Sequence, residues 1–279
     1  MGDQLEKIIQ SSGYIKNKFP KGFNPEAGLI IEKDLDVIND FKIISEIDFA
    51  DVPEFGLNSK TNLNKILFAK IKGNDVVIYK GRSHFYDGIP MREIGHLVYV
   101  LKYLAIKKII TIDEVGHLNP RFKCGDLALI YDHINLMGDN PLIGKNENEL
   151  GVRFPDMSNA YDKAMHKKIY EVLQDNKLVI NDAVYLGITG PESETDAEAR
   201  FYRDIGADVA GYSIVPENIT AVHCGIKFAA IGLITRELVA DKMMEDDRSE
   251  KQKIKDQNEY LKSASKKLGK IMDDIFKKI

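Results

Sequence analysis

The chain has 279 residues, 44% of them hydrophobic and 29% charged, which is typical of a folded globular protein with a sizeable core. Its formal net charge of -4 argues against a nucleic-acid-binding protein, which would show a basic surplus. Two cysteines without metal-site spacing, Cys124 and Cys224, and the lack of an apolar run long enough for a membrane span favour a protein of the reducing cytoplasm.

The expected secondary structure alternates strands with helices. Apolar, β-branched runs predict strands at 28–31, 41–47, 66–71, 76–79, 108–112, 128–131, 184–188, 209–211 and 227–235. Helical patterns are found at 3–11, 91–105, 161–174, 197–205 and 218–224. This alternation is typical of an α/β fold with parallel strands. No linker or internal repeat divides the chain, so we predict one domain over residues 1–279.

Two further segments stand apart from this alternation. The stretch 138–159 is polar and has no periodicity, and loops of this length in a compact domain usually have a function. The final helix, at about 250–279, carries apolar residues at intervals of seven: Ile254, Leu261, Leu268 and Ile275. We expect this apolar stripe to pack on the domain core, and a coiled-coil partner is the alternative.

Polar side chains follow the predicted strand at 76–79. Arg82 and His84 are two residues apart, so in an extended segment they point to the same side. The guanidinium of arginine presents a fixed fork of donors that suits phosphate oxygens, and His84 can add another donor. Tyr86 adds an aromatic face with a hydroxyl group. Taken alone, these residues fit either an anion site or an ordinary surface loop with a salt-bridged arginine. The histidines of the chain lack the spacing of metal ligands, so no metal is expected.

Two later strands also end in residues that can bind a ligand. Glu194 follows the strand at 184–188 and a Gly-Pro turn, and Ser213 follows the strand at 209–211. In open α/β sheets, ligands bind at the carboxyl ends of the strands. We therefore predict that Glu194 and Ser213 belong to a binding site.

Several short motifs occur in one order between about residues 66 and 236. They read GRSHFYDG, GHLNP, DHINLMGDNPL, RFPDMSNAYD, GPESET, GYSIVPE, HCG and LITRE. Their order and spacing resemble those of the trimeric purine nucleoside phosphorylases, of which the chain looks like a divergent member. The resemblance implies a mixed, twisted sheet flanked by helices and a homotrimer. It also implies cleavage of purine ribonucleosides by inorganic phosphate, a co-substrate, to base and ribose 1-phosphate, without a cofactor.

The resemblance implies roles for individual residues. The implied phosphate ligands are Lys33, Arg82, His84 and Ser213, with Lys33 standing at a serine position of the family. The implied nucleoside contacts are Tyr86, Phe154, Tyr185, Glu194, Tyr212 and Arg236. The residues expected to be catalytic are Glu194, Arg236 and His84. Among the nucleoside contacts, Phe154 is expected to reach the site of a neighbouring subunit, and Tyr185 to form a wall near the sugar.

The resemblance breaks at the site itself. The family's glycine-rich phosphate loop is replaced by Glu32-Lys33-Asp34, which removes the backbone nest that wraps an anion and adds carboxylates. Asp113-Glu114 replaces an Asn-Ala pair, and Arg236 replaces an asparagine that binds the purine. A family histidine is replaced by Asn62. The changes fall on both the phosphate and the purine side of the expected site.

Two arrangements of these charges stay open. In one, the Asp113-Glu114 pair binds Arg82 or Lys33, and Glu194 binds Arg236, so that internal ion pairs exclude phosphate. In the other, Lys33 binds phosphate and Arg236 donates to the purine. The predicted function is a purine nucleoside phosphorylase. The alternatives are a non-catalytic or specificity-altered paralogue, and a phosphate-independent nucleosidase in which Asp113 or Glu114 activates water.

Overall fold

The computed structural model describes residues 2–38, 41–55, 64–239 and 248–279, so Asn62 lies outside the described residues. The strands are β1 (Ala27–Ile31), β2 (Lys42–Asp48), β3 (Lys65–Ile71), β4 (Asn74–Lys80), β5 (Lys108–His117), β6 (Leu127–Asn135), β7 (Asn181–Gly187), β8 (Val209–Gly211) and β9 (Lys227–Glu237). The helices are α1 (Asp3–Asn17), α2 (Met91–Tyr103), α3 (Lys163–Asp175), α4 (Asp196–Asp204), α5 (Ile214–His223), α6 (Glu250–Gly269) and α7 (Met272–Lys278).

The strands of the described residues form one mixed sheet in the order β2-β3-β4-β1-β5-β8-β7-β6-β9. Strand β9 also pairs with β5, so that β5, β8, β7, β6 and β9 close into a barrel. Strand β1 runs parallel to both β4 and β5, so the carboxyl ends of these three strands meet at one edge. Strand β8 pairs antiparallel with the end of β5 and brings Gly211 toward the same place.

Helices cover both faces of the sheet. On one face, α1, α2 and α5 pack on an apolar cluster that includes Ile8 and Val98. On the other face, α3, α6 and α7 pack on a second cluster that includes Ile169 and Leu268. The α/β class, with a mixed sheet flanked by helices, is therefore confirmed.

The barrel explains where the strands outgrow their apolar runs. The strand predicted at 108–112 extends to His117, and the one predicted at 128–131 extends to Asn135. Polar residues such as Asp113 end an apolar pattern, but barrel closure gives their backbone a pairing partner. The segment 138–159 contains turns and neither a helix nor a strand.

The C-terminal segment forms two helices rather than one continuous helix. Leu268 of α6 and Ile275 of α7 are buried against the second cluster. Ile254, at the start of α6, is 53% exposed. The apolar stripe therefore contacts the sheet from its later part only.

Candidate active site

A cluster of charged side chains forms where β1, β4 and β5 end side by side. The pairing of Ile31 with Lys80 places Glu32 beside the segment that carries Arg82. The pairing of Ile30 with Thr111 places Asp113 across from the same segment. Three residues that are distant along the chain thus become neighbours because parallel strands end at a common edge.

The Arg82 guanidinium is held inside the protein. Only 1% of its side chain is exposed. Its Nη2 atom donates to the carbonyl oxygen of Ile112 at 2.6 Å, to that of Ile30 at 3.3 Å, and to Thr111 Oγ1 at 3.3 Å. These contacts with β1 and β5 fix the plane of the guanidinium and leave Nε and Nη1 directed toward the carboxylates.

Three carboxylates surround Arg82. Glu32 Oε1 lies 3.0 Å from Nε, while Glu217 Oε1 and Asp113 Oδ1 lie 3.6 Å and 3.7 Å from Nη1. Thr111 Oγ1 donates to Glu217 Oε2 at 2.6 Å. One cation therefore faces three acids, which is a surplus of negative charge if all of them are ionised.

The pKa values show how the cluster reduces this surplus. Burial raises the pKa of Glu217 to about 7, and Arg82 opposes that rise only in part. Burial also raises the pKa of Asp113 against the pull of Arg82. Burial works in the same direction on Glu32, but Arg82, His84 and Lys33 together lower its pKa. Glu32 is thus the acid of the cluster that keeps its charge most readily.

The predicted phosphate ligands Arg82, His84 and Ser213 do come together. His84 Nε2 lies 3.3 Å from Glu32 Oε1, and His84 Nδ1 lies 3.3 Å from Ser213 Oγ. Lys33 is exposed, and the residue that meets Arg82 and His84 is its neighbour Glu32. Within this turn it is thus Glu32, not the predicted Lys33, that meets the other phosphate ligands, because β1 ends at Ile31 and the turn that begins at Lys33 carries its side chain to the surface.

Tyr185 lies beneath the cluster. Its hydroxyl donates to Asp113 Oδ2 at 2.8 Å and accepts from the Ser213 amide at 3.0 Å. The Tyr185 side chain is fully buried, so it supports Asp113 and Ser213 instead of presenting the expected wall to a sugar. A Cβ atom at Gly211 would lie 2.5 Å from the Tyr185 hydroxyl, which explains the glycine at this close approach.

A row of aromatic and charged side chains leads away from His84. The ring of Tyr86 stacks on His84 at 4.6 Å, and its edge meets Tyr212 at 5.8 Å. The Arg236 guanidinium lies 5.5 Å from the Tyr212 ring centre, and its Nη2 atom donates to the Tyr212 hydroxyl at 3.3 Å. Arg236 Nη1 lies 3.7 Å from Glu194 Oε2. The predicted purine side of the site is therefore continuous with its phosphate side.

Glu194 ends this row as a buried acceptor. Only 2% of its side chain is exposed, and within the described residues neither of its oxygens accepts a hydrogen bond. A buried carboxylate without a donor is costly, so it marks a position where a ligand could donate. Glu114 lies on the same side of the cluster, where burial and the charges of Asp113 and Glu32 raise its pKa to about 7 against the pull of Arg236.

The two predicted ion pairs are present in one of the proposed combinations. Asp113, rather than Glu114, is the acid beside Arg82, and Glu194 is beside Arg236. The Phe154 ring does not join the row: it is 87% exposed and lies beneath the Arg153 guanidinium at 5.7 Å.

Sequence reasoning missed the parts played by Glu217, Thr111 and the inward-facing Glu32. Glu217 lies in the first turn of α5, a helix that is almost wholly buried and contains no other acidic residue. A carboxylate inside such a helix is unusual unless it has a partner, and this pattern could have indicated its position. Thr111, within a run of isoleucines, offered no comparable indication.

In the ranges that the structure describes, no group of three His, Cys, Asp or Glu side chains has the geometry to hold a metal ion. No helix within those ranges has the length and apolar character needed to cross a membrane.

The fold and the site together define an α/β protein in which a cluster of carboxylates around Arg82 lies next to a row of aromatic side chains that ends at Arg236 and Glu194. The model of the Phosphorylase superfamily matches residues 35–277. Purine nucleoside phosphorylase 1 of Bacillus subtilis is 36% identical over 250 residues, which are 86% of this chain and 92% of that protein. The purine nucleoside phosphorylase of Bos taurus is 36% identical and matches 74% of this chain and 73% of that protein.

Solved structures agree with these relatives. The Schistosoma mansoni purine nucleoside phosphorylase in complex with inosine superposes with a TM-score of 0.89 at 28% identity, over 99% of this chain and 97% of that chain. A purine nucleoside phosphorylase in complex with ribose-1-phosphate superposes with a TM-score of 0.85, also at 28% identity and with the same shares of the two chains. The chain belongs to the purine nucleoside phosphorylases of the Phosphorylase superfamily, so the resemblance in its motifs is confirmed.

Proposed function

We propose that this protein binds purine nucleosides and cleaves their N-glycosidic bond with inorganic phosphate, releasing the base and ribose 1-phosphate. Its membership of the family supports the reaction. So do the names of its relatives, purine nucleoside phosphorylases from organisms as different as Bacillus subtilis and Bos taurus. Inorganic phosphate is the co-substrate, and the reaction as written needs no cofactor.

The observation that carries the proposal is the pair formed by Glu194 and Arg236. Glu194 is a buried acceptor, and Arg236 beside it supplies donors but no acceptor. A 6-oxopurine presents the complementary edge, with a ring N–H for the carboxylate and carbonyl or ring-nitrogen acceptors for the guanidinium. Negative charge grows on the base as the glycosidic bond breaks, and a fixed cation at that edge stabilises it in the transition state.

The remaining candidate residues have positions that suit the other parts of the substrate. Tyr86 and Tyr212 are the aromatic neighbours of the base and ribose, in the row between His84 and Arg236. His84 and Ser213 offer donors toward the phosphate. Arg82, whose Nε atom lies 3.0 Å from Glu32 Oε1, is the third donor toward the phosphate.

We further propose a homotrimer built from a single domain, in which the exposed Phe154 of one subunit completes the site of the next. The loop 138–159 exposes two other apolar side chains, Ile143 and Val152, which would be covered in such an assembly. The chain has two cysteines, Cys124 and Cys224, too few for a disulfide scaffold, and this supports the proposal of a protein of the reducing cytoplasm.

The reaction is tested by incubating the protein with inosine and phosphate and separating hypoxanthine, ribose and ribose 1-phosphate. We expect ribose 1-phosphate to form in step with hypoxanthine. Glu194→Ala should weaken hypoxanthine binding in calorimetry by about 2 kcal/mol or more, because a desolvated hydrogen bond to a charged group is lost.

The matched control is Glu192→Ala, which removes an exposed carboxylate from the same turn. Equal binding by both variants and the unmodified protein would place the purine elsewhere. Release of hypoxanthine without ribose 1-phosphate would show that water, not phosphate, attacks the sugar.

A further inference from the structure

We propose that the Glu32 carboxylate occupies the anion position of this site and determines whether phosphate enters it. Glu32 would then be a specificity-determining residue for the attacking nucleophile, an internal anion that phosphate must displace. The inference rests on the proposed function, because it concerns the co-substrate of that reaction.

The expected phosphate ligands Arg82 and His84 point toward Glu32. Glu32 Oε1 lies 3.0 Å from Arg82 Nε and 3.3 Å from His84 Nε2. The other nitrogen of His84 lies 3.3 Å from Ser213 Oγ. Arg82 and His84 therefore both contact the Oε1 atom of Glu32, and Ser213 holds the ring of His84. A phosphate oxygen bound by the same side chains would need the same space.

While Glu32 is in place, all three guanidinium nitrogens of Arg82 are directed at oxygen atoms of the protein. Its Nε atom faces Glu32, its Nη1 atom lies near Asp113 and Glu217, and its Nη2 atom donates to Ile112, Ile30 and Thr111. With 1% of its side chain exposed, Arg82 cannot turn toward another anion. Phosphate can gain the guanidinium only if one of the three acids withdraws.

Of the three acids around Arg82, Glu32 is the one that can withdraw. The side chain of Glu32 is 21% exposed, compared with 6% for Asp113 and 5% for Glu217. Asp113 is part of β5 and accepts from Tyr185, and Glu217 is part of α5 and accepts from Thr111. Glu32 follows β1 at the start of a turn, and the described residues that pair with it are Arg82 and His84, so a change of its rotamer moves it without breaking a strand or helix.

The charge of Glu32 also repels phosphate. A phosphate dianion that entered while Glu32 stayed in place would lie against a carboxylate in a partly dry site. One like charge within about 5 Å weakens binding by at least about tenfold under such conditions. Lys33, the neighbouring cation, is exposed to solvent, where screening weakens its attraction for phosphate.

The test is direct measurement of phosphate binding by calorimetry on the full-length protein without nucleoside. Glu32→Ala should bind inorganic phosphate at least about tenfold more tightly than the unmodified protein, since both the charge and the obstruction are gone. Glu32→Gln keeps the size of the side chain but not its charge, so it should gain less. The matched control is Asp34→Ala, which removes an exposed acid from the same turn and should leave the affinity within about twofold.

Two further measurements make the result independent of any single variant. In Glu32→Ala, the KM for phosphate should fall about tenfold or more, while the KM for inosine changes by less than about twofold. Added phosphate should also raise the melting temperature of Glu32→Ala more than that of the unmodified protein, because it replaces the missing carboxylate beside Arg82.

The proposal is overturned if the unmodified protein binds phosphate as tightly as Glu32→Ala, or if Asp34→Ala gains as much affinity. It is also overturned if the two KM values fall together. Its failure is distinct from failure of the proposed function: phosphate binding needs no turnover, whereas the phosphorylase proposal fails only if inosine is not converted to ribose 1-phosphate by any of these proteins.

Discussion

Glu217 joins the arginine cluster from α5, a helix that is almost wholly buried. It lies in the first turn of α5, accepts from Thr111 at 2.6 Å and lies 3.6 Å from Arg82. Burial raises its pKa to about 7, and Arg82 does not compensate fully because Glu32 and Asp113 share that cation. Near neutral pH, the native protein therefore holds a proton that the unfolded chain has already released.

Because of this proton, the contribution of Glu217 to the stability of the fold decreases as pH rises. An acid with a raised pKa in the folded state stabilises the fold fully below its ordinary value of 4.5, and the contribution is lost as pH rises through about 7. Glu217→Gln mimics the protonated form and keeps the acceptor for Thr111. We expect its melting temperature to fall less than that of the unmodified protein between about pH 5 and about pH 8.

The measurement is thermal unfolding at several pH values in one buffer series. Glu93→Gln, at an exposed acid of α2, is the control and should keep the slope of the unmodified protein. Some slope should persist in Glu217→Gln because the pKa of Asp113 is also raised and that of Glu114 is about 7. Glu32, whose pKa is lowered, acts in the acid range below 4.5 and does not enter this window. Identical slopes for all three proteins would mean that Glu217 is ionised throughout.

At the scale of elements, α6 shows how one periodic pattern serves two environments. Leu268 is fully buried against the second apolar cluster, whereas Ile254, two heptads earlier on the same stripe, is 53% exposed. The apolar stripe thus stabilises the fold only where the helix lies over the sheet, next to α7.

We expect Leu268→Ala to destabilise the protein by about 2–5 kcal/mol, because it removes buried methyl groups and leaves a cavity. Ile254→Ala on the same helix should change the free energy of unfolding by less than about 1 kcal/mol. Urea unfolding of the two variants provides the comparison. Comparable losses in both would indicate that the exposed end of the stripe is covered in solution, as in the coiled-coil alternative.

At the scale of the whole molecule, the loop 138–159 exposes apolar side chains to solvent. Phe154 is 87% exposed, and Ile143 and Val152 are exposed in the same loop. Apolar side chains grouped in this way usually mark a contact with another protein. This exposure supports the proposal, which comes from the family resemblance, of a trimer in which each Phe154 reaches a neighbouring site.

Light scattering should give about three times the mass of one chain at micromolar concentration, the range in which subunit contacts of ordinary size are stable. Phe154→Ala and Glu194→Ala should each lose most of their activity toward inosine. Co-expressed, the two variants should recover part of it, because a site with an intact Glu194 can then receive an intact Phe154 from its neighbour. A monomer, or mixed assemblies as inactive as their parents, would contradict this arrangement.

The amino-acid sequence alone predicts the alternation of strands and helices, the α/β class and the family. Periodicity and strand-end residues are local properties that can be read along the chain, and they predict that Arg82, His84 and Ser213 belong to a site. The resemblance to the family implies that Glu194 and Arg236 lie on its purine side.

Which charges meet depends on the tertiary structure. Lys33 is the cation of the turn after β1, yet Glu32 faces Arg82, because the pairing of β1 with β4 places Glu32, the first residue after β1, beside the segment that carries Arg82, whereas Lys33 lies in the exposed turn that follows. Glu217 reaches Arg82 from a helix more than a hundred residues further along the chain, and Tyr185 is buried beneath the site by the closure of the barrel. Burial and register are properties of the assembled sheet, and no local pattern contains them.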